Sequence, residues 1–290
     1  DARRTVHLAF QVGGRIVSMD AEVGARVEKG AVIAALDSEP FKLRIRNNTD
    51  KDFEQIELTL EDRSERISMV AHVLKEKNPT AKIIIADPKP NFSKQALFEE
   101  GWGKHYNGMV SWVGPDFGGG NVEVNADEMT VSIDGEVTKV DVCNVIPAMK
   151  AGRICEIAGV NEGNWAPVIG HTMQSRMDEN VYVLGDASNQ GDMPKSGFSA
   201  NSQAKVCAMA VRGALTGSKV FPAKFSNTCW SLIETDDGVK VGATYEATDE
   251  KIVSVDGFVS QTGEDAALRK ATYEESIGWY AGITADMFGS

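Results

Sequence analysis

Five consecutive residues, Lys82-Ile83-Ile84-Ile85-Ala86, constrain this chain more than any other stretch. An uninterrupted apolar strand of this kind belongs in a parallel sheet covered on both faces. It follows Asn78-Pro79, which stops a helix that Ser64 can cap and whose apolar residues Ile67, Val70, Ala71 and Leu74 fall on one face. Helix followed by buried strand is the back end of a doubly wound unit whose first strand is missing or replaced. The predicted class is therefore α/β.

The remaining elements extend this pattern. A second helix is predicted over Ser93–Lys104. Alternating strands run from Val122 to Val142 with an Asp134-Gly135 hairpin turn, and Val142–Ile146 reads as a buried strand closed by Pro147. Val181–Leu184 is a further predicted strand. Ser199 is expected to cap a helix ending near Thr216, with Gly217 as its stop. From Phe225 the tail is mixed and ends in an amphipathic helix near Ala266–Thr284.

The beginning of the chain has another character. Leu8–Val12, Arg15–Val17 and Ala31–Leu36 read as short strands separated by turns at Gly13-Gly14, Gly24 and Lys29-Gly30, a small β unit. This segment, "FQVGGRIVSMDAEVGARVEKGAVIAALDS", resembles the biotinyl/lipoyl-like half-motif of periplasmic membrane-fusion (efflux adaptor) proteins, but no carrier Lys stands at a hairpin tip. Residues 47–62 are polar, then alternating, and read as a linker running into a strand. Opening on Asp1, the chain is expected to be a processed product or a piece of something longer.

Composition narrows function mainly by exclusion. With 42 acidic against 30 basic residues and a formal charge of −12, nucleic acid is not the expected partner. No apolar run approaches the ~20 residues of a membrane span. Cys143, Cys155, Cys207 and Cys229 form no CxxC pair, and His7, His72, His105 and His171 are scattered, so no metal site is expected.

The chemical signal lies in "NVYVLGDASNQGDMPKSGFSANSQAKVCAMAV". Open α/β sheets bind ligands at the carboxyl ends of their strands, and Gly185-Asp186 follows an apolar run there. The glycine admits a ligand close to the backbone, and the aspartate offers an acceptor to a sugar-like hydroxyl. Lys195-Ser196-Gly197 then enters a helix N-terminus, where free N–H groups favour an electron-rich heteroatom edge. Together they describe how a flavin's ribityl chain and pyrimidine edge are held.

From about Ser64 to Gly289 the sequence resembles the flavoprotein subunit of flavocytochrome c sulfide dehydrogenase. The matching stretches are "ERISMVAHVLKEKNPTAKI", "FSKQALFEEGW", "VCNVIPAMKAGRI", "VLGDA", "MPKSGFSANSQAKV", "FSNTCWSLI" and "WYAGITADMFG". The resemblance implies a partial glutathione-reductase-like architecture with two dinucleotide-type domains and a C-terminal interface domain. The domains implied are a β segment over 1–46, a linker over 47–63 and a partial second dinucleotide-type domain over 64–147. The back of the FAD domain would follow over 148–224, and the flavin-binding interface domain over 225–290. It further implies FAD, oxidation of sulfide, a c-type cytochrome as electron acceptor and a periplasmic location.

By the same resemblance, Asp186, beside Gly185, is the ribitol ligand, and Lys195, Ser196 and Gly197 sit by the pyrimidine edge. Phe198 stands where the family commonly has Tyr. Cys229, next to Thr228, matches the flavin-proximal redox cysteine, and Trp279 the aromatic closing the pocket. Glu65 matches an acidic residue near the sulfide face, a candidate proton acceptor, although a helix-start Glu complementing the dipole is an equal reading.

Three departures accompany the match. No GxGxxG follows a strand, Gly118-Gly119-Gly120 included, so the pyrophosphate site and the family's flavin-attaching cysteine are both lost. Thr59 stands where the partner of Cys229 is expected, six positions before Glu65, so Cys229 is expected as a free thiol with activity impaired. The alternatives are a non-catalytic cytochrome-docking module, or an efflux-adaptor fragment in which residues 1–46 matter.

Overall fold

The computed structural model describes residues 64–146 and 149–289, together with the backbone of three earlier strands, Ile16–Met19 (β1), Ala34–Leu36 (β2) and Glu54–Thr59 (β3). The chain divides into two compact units, Asp1–Thr49 and Asp50–Ser290. In the first, β1 and β2 pair antiparallel, with an irregularity between Ile16 and Ser18. The expected strand at Leu8–Val12, the turns at Gly13-Gly14, Gly24 and Lys29-Gly30, and the Pro147 closure lie outside the described residues.

The second unit opens on a parallel sheet. Helix α1 (Ser64–Lys77) follows β3 and leads into β4 (Lys82–Ala86), helix α2 (Gln95–His105) and β5 (Val110–Val113). A hairpin meander of β6 (Val122–Asn125), β7 (Thr130–Ile133) and β8 (Glu136–Lys139) precedes β9 (Val142–Ile146). The sheet order is β5-β4-β3-β9 and every pair is parallel. That is the 3-2-1-4 order of a doubly wound half, as the class predicted from Lys82–Ala86 requires.

The stretch read as a linker running into a strand supplies that strand as β3, the first of the unit and a central one that pairs with both β4 and β9. The strand Val142–Ile146, expected buried, is half-buried, with β3 its only neighbour among the described residues. The Asp134-Gly135 turn is as expected: both residues have positive φ, 51° and 86°, which joins β7 to β8 in a tight antiparallel hairpin.

Packing explains why α1 forms. Ile67 and Ala71 are buried, and Val70 and Leu74 pack beside them against Ile83, Ile85, Phe98 and Trp102. The helix ends at Lys77, before Asn78-Pro79. Helix α2 starts two residues later than predicted, because Lys94 adopts the left-handed region ahead of Gln95 and no side chain caps it. Gly118–Gly120 follows β5 through a short 3-10 turn and leads into β6, so it opens no helix. At Gly119 a Cβ would lie 2.0 Å from the Val113 carbonyl oxygen, so only glycine lets this loop close over the strand ends.

The rest of the unit holds helix α3 (Arg153–Ile157), a small sheet of β10 (Ala166–Ile169), β11 (Gln174–Ser175) and β12 (Ser188–Asn189), and the long helix α4 (Gly197–Thr216). The tail folds as an antiparallel sheet of β13 (Lys224–Glu234), β14 (Asp237–Ala247) and β15 (Ile252–Val259), followed by α5 (Ala266–Phe288). Ile233 and Val239 join the core of α1, β4 and α2, which docks the tail on the parallel sheet. At Gly101 of α2 a Cβ would meet Ile233 at 2.4 Å, so the glycine sets how closely α2 approaches β13. A second core under α4 gathers Val168, Met173, Val206, Phe225, Tyr245 and Ile252.

Three further expectations fail locally. Val181–Leu184 is not a strand: it makes one isolated bridge, Gln174 to Tyr182, and single hydrogen bonds to Met173 and Ser175. A strand needs a partner along its length, and only the two-residue β11 lies beside this one among the described residues. The cap of α4 is Ser196, whose hydroxyl accepts from Ser199 N–H, and not Ser199. Gly217 does terminate the helix, with φ 67° and its N–H bonded to the Gly213 carbonyl. Helix α5 spans the predicted region, but it buries Arg269 and Thr272 in place of an apolar stripe.

Candidate functional site

The N-terminus of α4 is where the predicted site residues converge. Its approach loop is fixed first. Gly185, at φ 69°, donates its N–H to Gln203 Oε1 at 2.7 Å, and the buried Gln203 amide donates in turn to Gln190 Oε1 at 3.0 Å. Gln190 Nε2 then holds the Pro194 carbonyl at 2.6 Å. Every polar atom in this relay has a partner, which the low-dielectric interior demands. Lys195 Nζ donates to the carbonyls of Asp186 (2.7 Å) and Ser188 (2.9 Å) and lies 3.7 Å from the centre of the Trp165 ring. The lysine therefore straps the Gly185–Ser188 turn to the helix entrance, and the Asp186 side chain is left exposed on that turn.

Ser196 links the helix to β13. Its hydroxyl donates to Asn227 Oδ1 at 2.5 Å, and Ser199 Oγ donates to the same oxygen at 3.1 Å. Asn227 Nδ2 donates to Cys229 Sγ at 3.2 Å. Successive side chains alternate across a strand, so Asn227 and Cys229 share one face of β13 while Thr228 and Trp230 share the other. The face with Trp230 meets α5: Trp230 Nε1 donates to Glu275 Oε2 at 3.0 Å, and Lys240 Nζ reaches the same oxygen at 2.5 Å. Burial pushes the Glu275 carboxyl up, yet these two donors together hold it below the usual range.

Beside Trp230 of β13, Phe198 and Trp279 stack at 5.7 Å with 8° between their planes, and Trp230 lies 5.5 Å from Trp279. A third ring between Phe198 and Trp279 would need about 7 Å, two carbon contacts of ~3.5 Å each. A flat heterocycle can therefore lie beside this pair but not inside it. Gly197 completes the corner, since a Cβ there would come within 4.0 Å of the Trp279 ring. Next to the stack a cleft of about 500 Å³ runs between α4 and α5, where Lys205 and Asn201 both bond Asp286.

Glu65 is placed apart from this corner. Its carboxylate accepts from the Leu232 N–H on the β13 edge at 3.4 Å, three residues beyond Cys229, or about 10 Å along the strand. The four cysteines are all free thiols: Cys155 and Cys207 are buried, while Cys143 and Cys229 are half-buried. Thr59 closes β3.

The structure thus gathers Lys195, Ser196, Gly197, Phe198, Cys229 and Trp279 on one helix end, with Gly185 and Asp186 on the turn behind it. Thr228 is on the α5 side of the strand from Cys229. Asn227, Trp230 and Trp165 are members that the sequence reasoning missed. The two-residue period from Cys229 was the available signal for Asn227. Trp165 carried none.

The donor set fits the ring end of a flavin: a capped helix N-terminus, an adjacent aromatic pair and a half-buried sulfur on the flanking strand. For the pyrophosphate end, no glycine-rich strand-to-helix turn occurs among the described residues.

Comparison with known proteins bears on the same two regions. Residues 63–147 match the family model described as the central part of the sulfide dehydrogenase [flavocytochrome c] flavoprotein chain, and residues 222–288 match flavocytochrome c sulphide dehydrogenase, flavin-binding. Together they span just over half the chain. Among solved structures, the sulfide:quinone oxidoreductase of Aquifex aeolicus is 13% identical with TM-score 0.49, over 82% of this chain and 63% of that one. An FAD-dependent pyridine nucleotide-disulphide oxidoreductase from Desulfovibrio vulgaris is 12% identical with TM-score 0.45, over 69% and 51%. A chain from the mitochondrial ATP synthase structure of Tetrahymena thermophila is 16% identical with TM-score 0.48, over 67% and 51%. The chain spans half to two thirds of the length of these three proteins, and likeness at this level carries no functional weight.

Proposed function

Since residues 63–147 and 222–288 belong to the flavoprotein family of flavocytochrome c sulfide dehydrogenase, we propose that this chain is a flavin-dependent oxidoreductase module acting on sulfide. FAD is the cofactor of the matched flavin-binding part. The observation that carries the reading is the convergence of Lys195, Ser196, Gly197, Phe198, Trp279 and Cys229 on one end of α4, within or beside that part.

Bound FAD would supply the two-electron acceptor. The chain's own residues bind and orient it. The α4 N-terminus offers the amides of Gly197 and Phe198 to the pyrimidine edge, favoured by the positive end of a 20-residue helix. The Phe198–Trp279 pair gives the ring one apolar face and excludes water there. Lys195 keeps the Gly185–Ser188 turn against the helix entrance, and the exposed Asp186 carboxylate is free to accept from a ribityl hydroxyl. Cys229, fixed by Asn227, presents its sulfur from β13, whereas Glu65, held at the Leu232 N–H about 10 Å along the strand, is out of direct reach of that sulfur, so the proton-acceptor role is not assigned to it.

A c-type cytochrome is the proposed acceptor and the periplasm the proposed location, both by family. Among the described residues no helix is long and apolar enough to cross a membrane. With Thr59 at the sequence position expected for the partner cysteine, Cys229 cannot run disulfide exchange alone, so turnover is expected to be slow. Anaerobic addition of sulfide to the FAD-loaded chain tests the reading. Bleaching of the visible flavin band supports it, and a band unchanged over hours at millimolar sulfide overturns it.

A further inference from the structure

The run Val181–Leu184 uses only one of its two backbone edges. Ser175 N–H donates to the Val181 carbonyl at 2.8 Å, and Val183 N–H donates to the Met173 carbonyl at 3.0 Å. Backbone groups alternate in direction along an extended chain, so those of Tyr182 and Leu184 point the other way. The bridge between Gln174 and Tyr182 is made through their neighbours, and Leu184 is extended at φ −137°, ψ 172°. Among the described residues, the Tyr182 N–H, the Tyr182 carbonyl and the Leu184 N–H have no partner, although both residues are half-buried. The side chains are covered on both faces. Val181 and Val183 pack with Cys155, Val160 and Ala166, and Tyr182 and Leu184 with the core under α4. An apolar run covered on two faces, with one edge unpaired, has the surroundings of an interior strand and lacks the neighbour.

We propose that this edge receives a strand from a separate polypeptide, apolar along its length and flanked by basic residues. The two N–H groups and the carbonyl set its register, and main-chain pairing to an open sheet edge is a general mode of peptide capture. The apolar character follows from the core it would extend. On α3, Ile154 and Ile157 flank the buried Cys155 and are 71% and 68% exposed, which leaves apolar surface at the margin of that core. The charge follows from what brackets the edge. Asp178 and Glu179 stand exposed just before the run and Asp186 just after it, while Lys195 directs its ammonium to the Asp186 and Ser188 carbonyls. A second copy of this chain would bring the same acidic residues to the contact, on top of a net charge of −12, so like chains repel there. A strand between lysines or arginines meets attraction instead. The inference concerns backbone groups ahead of Gly185 and does not use the flavin reading.

The test is hydrogen exchange of the chain, read residue by residue by NMR, alone and with a synthetic peptide of about five Val and Ile residues between paired lysines. Alone, the Tyr182 and Leu184 amides should exchange quickly and the bonded Val183 amide more slowly. The lysine peptide should slow exchange at Tyr182 and Leu184 by about tenfold or more and leave Val183 little changed. The same peptide with glutamates in place of the lysines should bind at least about tenfold more weakly at low salt. Tyr182→Pro removes an edge donor and should abolish the peptide's protection of Leu184. If that variant does not fold, the comparison of the two peptides on the parent chain decides. Unchanged exchange at Tyr182 and Leu184 with about 1 mM lysine peptide, or equal binding of the two peptides, overturns the proposal. Protection that is present without peptide and grows with chain concentration also overturns it, since a second copy would then occupy the edge. No flavin or sulfide enters the assay, so its failure is separable from failure of the flavin reading.

Discussion

Replacing Asp237 by Asn should destabilise the protein more than any other single-atom change on its tail. Asp237 and Arg269 are each 4% exposed, and Arg269 Nε donates to Asp237 Oδ1 at 2.6 Å. His105 Nε2 and Lys104 Nζ approach Oδ2 at 2.6 and 3.3 Å, so one carboxylate ties α5, α2 and the start of β14 together. Asp237→Asn leaves the guanidinium buried with only Glu100, at 3.7 Å, as a counter-charge, a contact too long for a hydrogen bond. Arg269 Nη1 has no hydrogen-bond partner even in the parent. Breaking a buried pair from one side costs about 3–5 kcal/mol. At roughly 2–4 °C per kcal/mol for a chain of this size, the melting temperature should fall by about 10 °C. Urea unfolding followed by circular dichroism and tryptophan fluorescence measures it. The Asp237→Asn/Arg269→Met double variant should lose less than the sum of the singles, because it removes both charges. A single-variant loss under about 1 kcal/mol, or strict additivity in the double, would refute the buried-pair argument.

Other expectations follow from the same geometry. Burial pushes the Glu234 and Asp237 carboxyls up, but His72, the Thr235 N–H and Tyr106 at Glu234, and His105 and Arg269 at Asp237, bring both below their ordinary values of 4.5 and 3.8. A depressed folded pKa adds stability that is present above the ordinary value and lost as pH falls through the folded one. Urea midpoints should therefore decline as pH falls below about 4.5, and Glu234→Gln should flatten that limb; an unchanged slope would count against it. Gly119→Ala should cost several kcal/mol, roughly 2 to 4, since its Cβ would press on the Val113 carbonyl; a thermal midpoint within 2–3 °C of the parent would be inconsistent with that closure. Riboflavin and FAD should bind with affinities within about tenfold of each other, because two missing pyrophosphate contacts at ~1.5–3 kcal/mol each remove what makes FAD the tighter ligand. Calorimetric titration showing FAD a thousandfold tighter would mean that another segment supplies the site.

The sequence was most legible where periodicity and turn chemistry act locally. The face of α1, the strand Lys82–Ala86, the Asp134-Gly135 turn and the Gly217 stop are each determined within a few residues. Legibility failed where a partner decides the outcome. Glu54–Thr59 has too many polar residues to read as a central parallel strand, and only its pairing with β4 and β9 reveals it. Val181–Leu184 has the composition of a strand, yet composition does not provide a neighbour. Ser196 and Ser199 are both good caps; it is Ser196 that takes the Ser199 N–H, and the oxygen that fixes both hydroxyls belongs to Asn227 on β13, 31 residues from Ser196. The candidate site was readable as types, namely Gly-Asp, helix entrance, cysteine and tryptophan. The amide that joins them was not, because a buried Asn two residues before a Cys acquires its role only when the strand docks against α4.

The central claim is that the end of α4, with Cys229 on β13 and Trp279 on α5, receives a flavin ring. Quenching of tryptophan fluorescence in the purified chain, titrated with FAD in the dark, tests it most directly. The account expects saturable one-to-one quenching that weakens about tenfold in Trp279→Ala and in Phe198→Ala, each losing roughly 0.5–1.5 kcal/mol of ring contact beyond its buried area. No saturable binding, or binding of equal strength in both variants, would contradict it.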